Sequence, residues 1–146
     1  TGVRTFEAAS FLRRLGADTV EIKKIFSNNL ENYIAKAEII KSAKVENKIA
    51  IAVCPENITD TVVAAQAADE LLNITGIQAS FVLIKLGEDV AISARSLGDI
   101  NVQVILEELG GGGHMTMAGA KIKDATIDEA IEKIKEAIAK NSREGE

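Results

Sequence analysis

Four consecutive glycines, residues 110–113, stand directly before the chain's single histidine, His114. Glycine has no Cβ, so its backbone N–H groups can come close to a ligand. One glycine would be enough to end the preceding helix, and each further one costs roughly 0.5–1 kcal/mol relative to alanine. Apolar residues flank the run, whereas flexible linkers are usually polar. We therefore predict a ligand-binding loop, with a linker as the alternative.

His114 closes this glycine run. A histidine can donate a hydrogen bond, carry a proton or bind a metal. A metal site would need further ligands, and no residue near His114 in the sequence has the spacing of a second ligand. We therefore favour a hydrogen bond from His114 to a substrate. The neighbouring Met115 and Met117 are expected to pack under the loop.

Arg95 is one of only two permanent cations between residues 49 and 120, the other being Lys85. It lies in an apolar segment with the alternation of a strand, which places Ser93 and Arg95 on the same face. A guanidinium group binds two phosphate oxygens at once. We predict that Arg95 binds phosphate, and the alternative is a surface arginine on an exposed edge strand.

The composition and the net charge exclude several kinds of protein and site. The chain has 146 residues, 47% of them hydrophobic and 3% aromatic, so the core is aliphatic. Residues 47–146 carry nine basic against sixteen acidic side chains, a net charge of −7, which argues against wrapping a long nucleic acid. The single cysteine, Cys54, excludes an internal disulfide and a multi-cysteine zinc site, and its apolar surroundings indicate a packed residue rather than a nucleophile.

The order of predicted elements gives an α/β fold, a mixed β-sheet flanked by helices and preceded by an N-terminal helical segment. Three helices are expected in residues 1–46, the second capped by Asp18 and separated from the third at Asn28 and Asn29. The polar stretch 44–48 is the predicted boundary. After it we expect a strand covered on both faces at 49–54 and a helix capped by Thr59 or Asp60. A hairpin over 77–96, a helix capped by Asn101, a strand at 118–122 and a last helix capped by Thr126 follow.

No apolar segment approaches the ~20 residues that span a bilayer, so the chain is expected to be soluble. Its first residue is Thr, and a helical pattern begins almost at once. We expect the chain to be a piece of a longer protein.

The glycine–histidine stretch 111–119, together with the segment 92–96 around Arg95, resembles the DHH-associated domain of the DHH phosphoesterase superfamily. The segments 5–13, 52–56 and 93–98 look like the C-terminal part of membrane-anchored cyclic-di-AMP phosphodiesterases of the GGDEF–DHH type. The resemblance covers essentially the whole chain. It implies that residues 1–46 are the last helices of a DHH domain and its linker, and that residues 47–146 are the associated domain.

In this family the DHH domain holds two manganese ions and performs hydrolysis, while the associated domain grips the nucleotide. By this resemblance the substrate-binding residues are Arg95, Gly111, Gly112, Gly113 and His114. The Asp-His-His motif is absent because His114 is the sole histidine. The resemblance therefore implies no catalytic residue and no metal ligand in this sequence, and a fragment without turnover.

The implied partners are a cyclic dinucleotide or short oligonucleotide, the DHH domain of the same protein and a second copy in a homodimer. The implied location is the cytoplasmic face of the membrane. Two alternatives stay open. One is the equivalent module of a nanoRNA or phosphoadenosine-phosphate hydrolase, and the other is a non-catalytic RNA-binding module, which the acidic charge disfavours.

Overall fold

The structure, a computed structural model, describes residues 2–16, 18–25 and 30–144. The predicted helix interruption at Asn28 and Asn29 lies outside these residues. The elements, in chain order, are α1 (Val3–Arg14), α2 (Thr19–Ile25), α3 (Leu30–Lys41), β1 (Lys44–Glu46), β2 (Ile49–Val53), α4 (Thr61–Leu71), β3 (Ala79–Leu86), β4 (Asp89–Ser96), α5 (Val102–Glu107), β5 (Gly112–His114), β6 (Met117–Ile122) and α6 (Ile127–Glu144). This is the predicted α/β fold with an N-terminal helical segment.

The chain forms two compact units, residues 1–33 and residues 34–146. In the first unit, Asp18 Oδ1 accepts a hydrogen bond from the N–H of Val20, which confirms the predicted cap of α2. No residue of α1 is buried, and Phe6 and Leu15 are 66% and 69% exposed. The apolar side chains of Phe6 and Leu15 therefore lie largely in solvent in this chain.

The second unit is built on one mixed sheet with the strand order β1-β2-β3-β4-β6-β5. Strands β2 and β3 are parallel and are joined through α4, and the other neighbouring pairs are antiparallel. Strand β4 lies between β3 and β6, so Arg95 is on an interior strand. The alternative of an arginine on an exposed edge strand is therefore excluded.

Both faces of the sheet carry an aliphatic core. On one face α4 and the end of α3 pack on β2 and β3, and on the other α5 and α6 pack on residues from all the longer strands. Strand β2 contributes Ile49 to one core and Ala50 and Ala52 to the other, which confirms that it is covered on both faces. Helix α6 buries Ala130 and Ile134 in the core that contains Ile49.

Helix α4 begins at an Asp60 cap, whose Oδ1 accepts from the N–H of Val62 at 2.9 Å. Asp60, rather than Thr59, is therefore the cap. Val62 lies on the outer face of this helix, where its side chain is 59% exposed. The inward face is mostly alanine, which lets α4 lie close to the sheet. The buried residues of α4 are Val63, Ala64, Ala67, Ala68 and Leu71.

The polar stretch 44–48 contains a strand and a turn that the sequence did not predict. Strand β1 is fully exposed and pairs with β2 through a turn at Asn47 and Lys48. Both residues have positive φ, 51° and 67°, as a tight two-residue hairpin turn requires. Asparagine adopts this conformation readily, but lysine gives no such signal.

Helix α3 buries Lys36 and Ile39, whereas Tyr33 and Ile34 are 64% and 49% exposed. Lys36 is 3% exposed, and its Nζ donates to Glu70 Oε1 of α4 at 2.9 Å. A buried ammonium group needs such a partner because removal of a charge from water is costly. This ion pair attaches the end of α3 to α4.

Candidate functional site

Arg95 and His114 lie in one row across the sheet. Met117 of β6 is the register partner of both Arg95 in β4 and His114 in β5. Residues that are directly opposite in a sheet share a face, so the three side chains leave the same face. Two strand spacings, about 10 Å, separate the backbones of Arg95 and His114.

This face of the sheet is open over β6. Along β6, Met117, Gly119 and Lys121 are exposed, whereas Ala118 and Ile122 are buried on the other face. Helix α4 covers β3, the strand on the other side of β4, and Ser80 Oγ of β3 donates to the carbonyl of Ala68 in α4 at 2.7 Å. Beside α4, the same face of β4, β6 and β5 therefore forms an open surface, which we call the shelf. Its residues are Ser93, Arg95, Gly112, His114, Met117 and Gly119.

The second row of the shelf carries almost no side chain. Ser93 of β4, Gly119 of β6 and Gly112 of β5 are register partners in turn. A Cβ at Gly112 would meet no atom within 4 Å, so the backbone there borders open space. Bare backbone next to a guanidinium and an imidazole is a surface to which an anionic group can come close.

The glycine run is an edge strand and its lead-in, not the predicted loop. Gly110, with φ of 82°, lies in the turn that follows α5, and the N–H of Gly111 donates to the carbonyl of Leu106. A Cβ at Gly111 would collide with the carbonyl oxygen of Gly119, and one at Gly113 would collide with that of Met117. Three of the four glycines therefore have a structural reason of their own, and Gly112 has none.

The turn that follows His114 is fixed by two other elements. The carbonyl of Met115 accepts from the N–H of Val102 at the start of α5, and that of Thr116 accepts from Ser96 at the end of β4, both at 3.0 Å. His114 itself is exposed. The prediction that Met115 and Met117 pack beneath the run is wrong, since they are 49% and 50% exposed.

The Arg95 side chain is only 13% exposed and is held by two acceptors. Its Nε donates to Asp69 Oδ1 of α4 at 2.9 Å, and its Nη1 donates to the carbonyl of Ala94 at 2.9 Å. Sequence reasoning missed Asp69. The two residues are 26 positions apart, and nothing in the spacing indicates that α4 brings them together.

Cys54 is 5% exposed, and burial raises the pKa of its thiol to about 12. A thiol with such a pKa is not a nucleophile at neutral pH. The interpretation of Cys54 as a packed residue is confirmed. No group of three or more His, Cys, Asp or Glu side chains suited to a metal ion occurs among the residues that the structure describes.

Comparison with known proteins identifies the family of the chain. Residues 46–140 match the family model of the DHHA1 domain. The chain is 52% identical over 141 residues to "Cyclic-di-AMP phosphodiesterase GdpP" of Geobacillus thermodenitrificans, and the match covers 94% of this chain and 21% of that protein. It is 45% identical over 141 residues to "Cyclic-di-AMP phosphodiesterase PdeA" of Listeria monocytogenes, and this match covers 94% of this chain and 22% of that protein. The chain thus spans about a fifth of the length of these relatives.

The fold is also found in a solved structure, that of an exopolyphosphatase-related protein from Bacteroides fragilis. The two superpose with a TM-score of 0.76 at 19% sequence identity, over 96% of this chain and 44% of the other. Identity at this level shows the shared fold alone.

Proposed function

Because this chain belongs to the DHHA1 domain family, we propose that it is the nucleotide-binding part of a manganese-dependent cyclic-di-AMP phosphodiesterase. The observation that carries the proposal is the shelf, where Arg95 and His114 share a row beside the bare backbone of Gly112. Two relatives that bear the name of this activity are 45–52% identical over nearly the whole chain.

In this proposal Arg95, His114 and the glycines at 111–113 contact the nucleotide. Arg95 binds non-bridging oxygens of a phosphodiester, and His114 donates a hydrogen bond from an imidazole N–H to a phosphate or ribose oxygen. Gly112 leaves room for the phosphate to approach the strand. Gly111 and Gly113 contribute backbone to the same site, and their lack of side chains keeps β5 paired with β6.

The residues present do not fit the manganese centre of this family. His114 is the only histidine, and the described residues hold no cluster of metal-ligating side chains. We therefore place manganese and bond cleavage in a DHH domain outside this sequence, and we derive no step through the metal from this chain. The role of the chain is to bind and orient the substrate, so on its own it is expected to show no turnover.

The proposal also covers the location and the partners of the full-length protein. Among the described residues no helix is both long and apolar enough to cross a membrane. We propose that segments elsewhere in the full-length protein anchor it, with this chain on the cytoplasmic side. The proposed partners are the DHH domain of the same protein and a second copy of the protein in a homodimer.

The proposal is tested by Arg95→Ala in the full-length protein, with cyclic-di-AMP as substrate and manganese present. Loss of a charged hydrogen bond costs roughly 1.5–3 kcal/mol, so kcat/KM should fall by roughly 10- to 150-fold. Wild-type kcat/KM in this variant would remove Arg95 from the site. In the same assay, cleavage by the isolated chain would contradict the placement of catalysis outside it.

A further inference from the structure

Asp69, at the C-terminal end of α4, is the one acidic side chain that contacts Arg95 among the described residues. Resting on the proposed function, we propose that Asp69 is a positioning residue for phosphate binding. It holds the Arg95 guanidinium so that the Nη1–Nη2 end of the group is presented to the substrate phosphate.

The pattern of contacts on the guanidinium supports this role. The group has five N–H donors in one plane, so fixing two of them fixes the direction of the others. Asp69 Oδ1 accepts a hydrogen bond from the Nε–H group, and the carbonyl of Ala94 accepts one from an Nη1–H group. Within the described part of the chain Nη2 has no acceptor. Arg95 therefore keeps three N–H donors, one on Nη1 and two on Nη2, and the spacing of these two nitrogens suits two phosphate oxygens.

Asp69 is itself held in place through α4. In this last turn the carbonyl of Ala68, the residue before Asp69, accepts a hydrogen bond from Ser80 Oγ of β3 at 2.7 Å. The backbone that carries Asp69 is thus fixed to the sheet, and its carboxylate has a defined position relative to Arg95.

An opposite role for Asp69 makes the opposite prediction. A carboxylate that competes with the phosphate would occupy the Nη1–Nη2 end, and its removal would tighten substrate binding. Asp69 instead contacts Nε, on the side of the group. Its removal should let the guanidinium turn and should weaken binding.

The experiment compares Asp69→Asn, Arg95→Ala and the double variant in the full-length protein, with KM and kcat measured for cyclic-di-AMP. The Asp69 side chain is 59% exposed, so a modest effect is expected, on the order of a fivefold rise in KM in Asp69→Asn. The value of kcat should change less, since binding to the phosphate persists in the transition state. Asp69→Glu, which keeps the carboxylate, should recover part of the loss.

The double variant separates positioning from a general structural effect. If Asp69 acts through Arg95, Asp69→Asn should add nothing to the loss caused by Arg95→Ala. Glu70→Gln is the matched control, because it breaks the neighbouring ion pair on the same turn without touching Arg95. It should lower the thermal midpoint and leave KM near the wild-type value.

The outcomes are distinct. A KM that is unchanged or lower in Asp69→Asn overturns the positioning role, and so does an equal effect of Asp69→Asn with and without Arg95. If Arg95→Ala raises KM and Asp69→Asn does not, only this inference fails. If Arg95→Ala leaves KM unchanged, the phosphate site fails as well.

Discussion

Gly112 and Gly113 are neighbours in β5, and the structure predicts opposite consequences for the same substitution at each. At Gly112 a side chain would enter open space on the shelf, and its φ is not among the positive values in the chain. Valine favours strands, and the scale of strand preferences spans about 1 kcal/mol. Gly112→Val should therefore leave the thermal midpoint unchanged or slightly raised.

At Gly113 the same change should unfold β5. Its φ is +149°, and a Cβ there would lie 2.6 Å from Ala118 Cα in β6. A strained backbone of this kind costs about 1–3 kcal/mol, which in a chain of this size lowers the thermal midpoint by about 2–12 °C. Gly113→Val is thus the matched control for a loss of fold.

Gly112→Val should lower the activity without lowering the stability. The isopropyl group would stand beside Gly119 and Ser93, in the space that the proposed phosphate needs. An inserted side chain in an occupied site costs about 1–3 kcal/mol, so kcat/KM for cyclic-di-AMP should fall by roughly 5- to 150-fold in the full-length protein. A Gly112→Val protein with both a wild-type melting curve and wild-type kcat/KM would refute the role of the shelf.

Two further predictions concern the fold. Asp60→Ala removes the cap of α4 and should lower the free energy of unfolding by about 1 kcal/mol, whereas Thr59→Ala should change little; equal effects in chemical denaturation would contradict the assigned cap. Burial raises the pKa of the Cys54 thiol from 9.0 to about 12, so its contribution to stability is complete below pH 9 and is lost as the pH rises through 12. The thermal midpoint should therefore fall more between pH 9 and pH 11 in the wild type than in Cys54→Ala, and parallel declines would show that the thiol is not the cause.

The interior of the α/β unit could be predicted from the sequence because its signals are local. The alternation along β4 places Arg95 and Ser93 on one face and buries Val90, Ile92 and Ala94 on the other, as the structure confirms. The caps at Asp18, Asp60 and Asn101 follow from side chains next to their own helices.

The edges of the sheet could not be predicted, since neither edge strand has a sequence with a strand preference of its own. Strand β1 is short, polar and exposed, and only its pairing with β2 makes it a strand. Strand β5 is largely glycine, which has little strand preference, and its conformation is imposed by β6. The contact between Asp69 and Arg95 depends on how α4 lies on the sheet, which no local pattern encodes.

Among residues 111–113 only Gly112 has room for a side chain, and this limits how the ligand preference of the site can be redesigned. Gly111 and Gly113 fit against β6 with no room for a Cβ, so a library that randomises them would return mainly destabilised proteins. Gly112 is the position in the strand where chemical diversity costs no packing. A search for altered specificity should combine it with Ser93 and Gly119, its partners across the shelf, and leave the glycines on either side of it untouched.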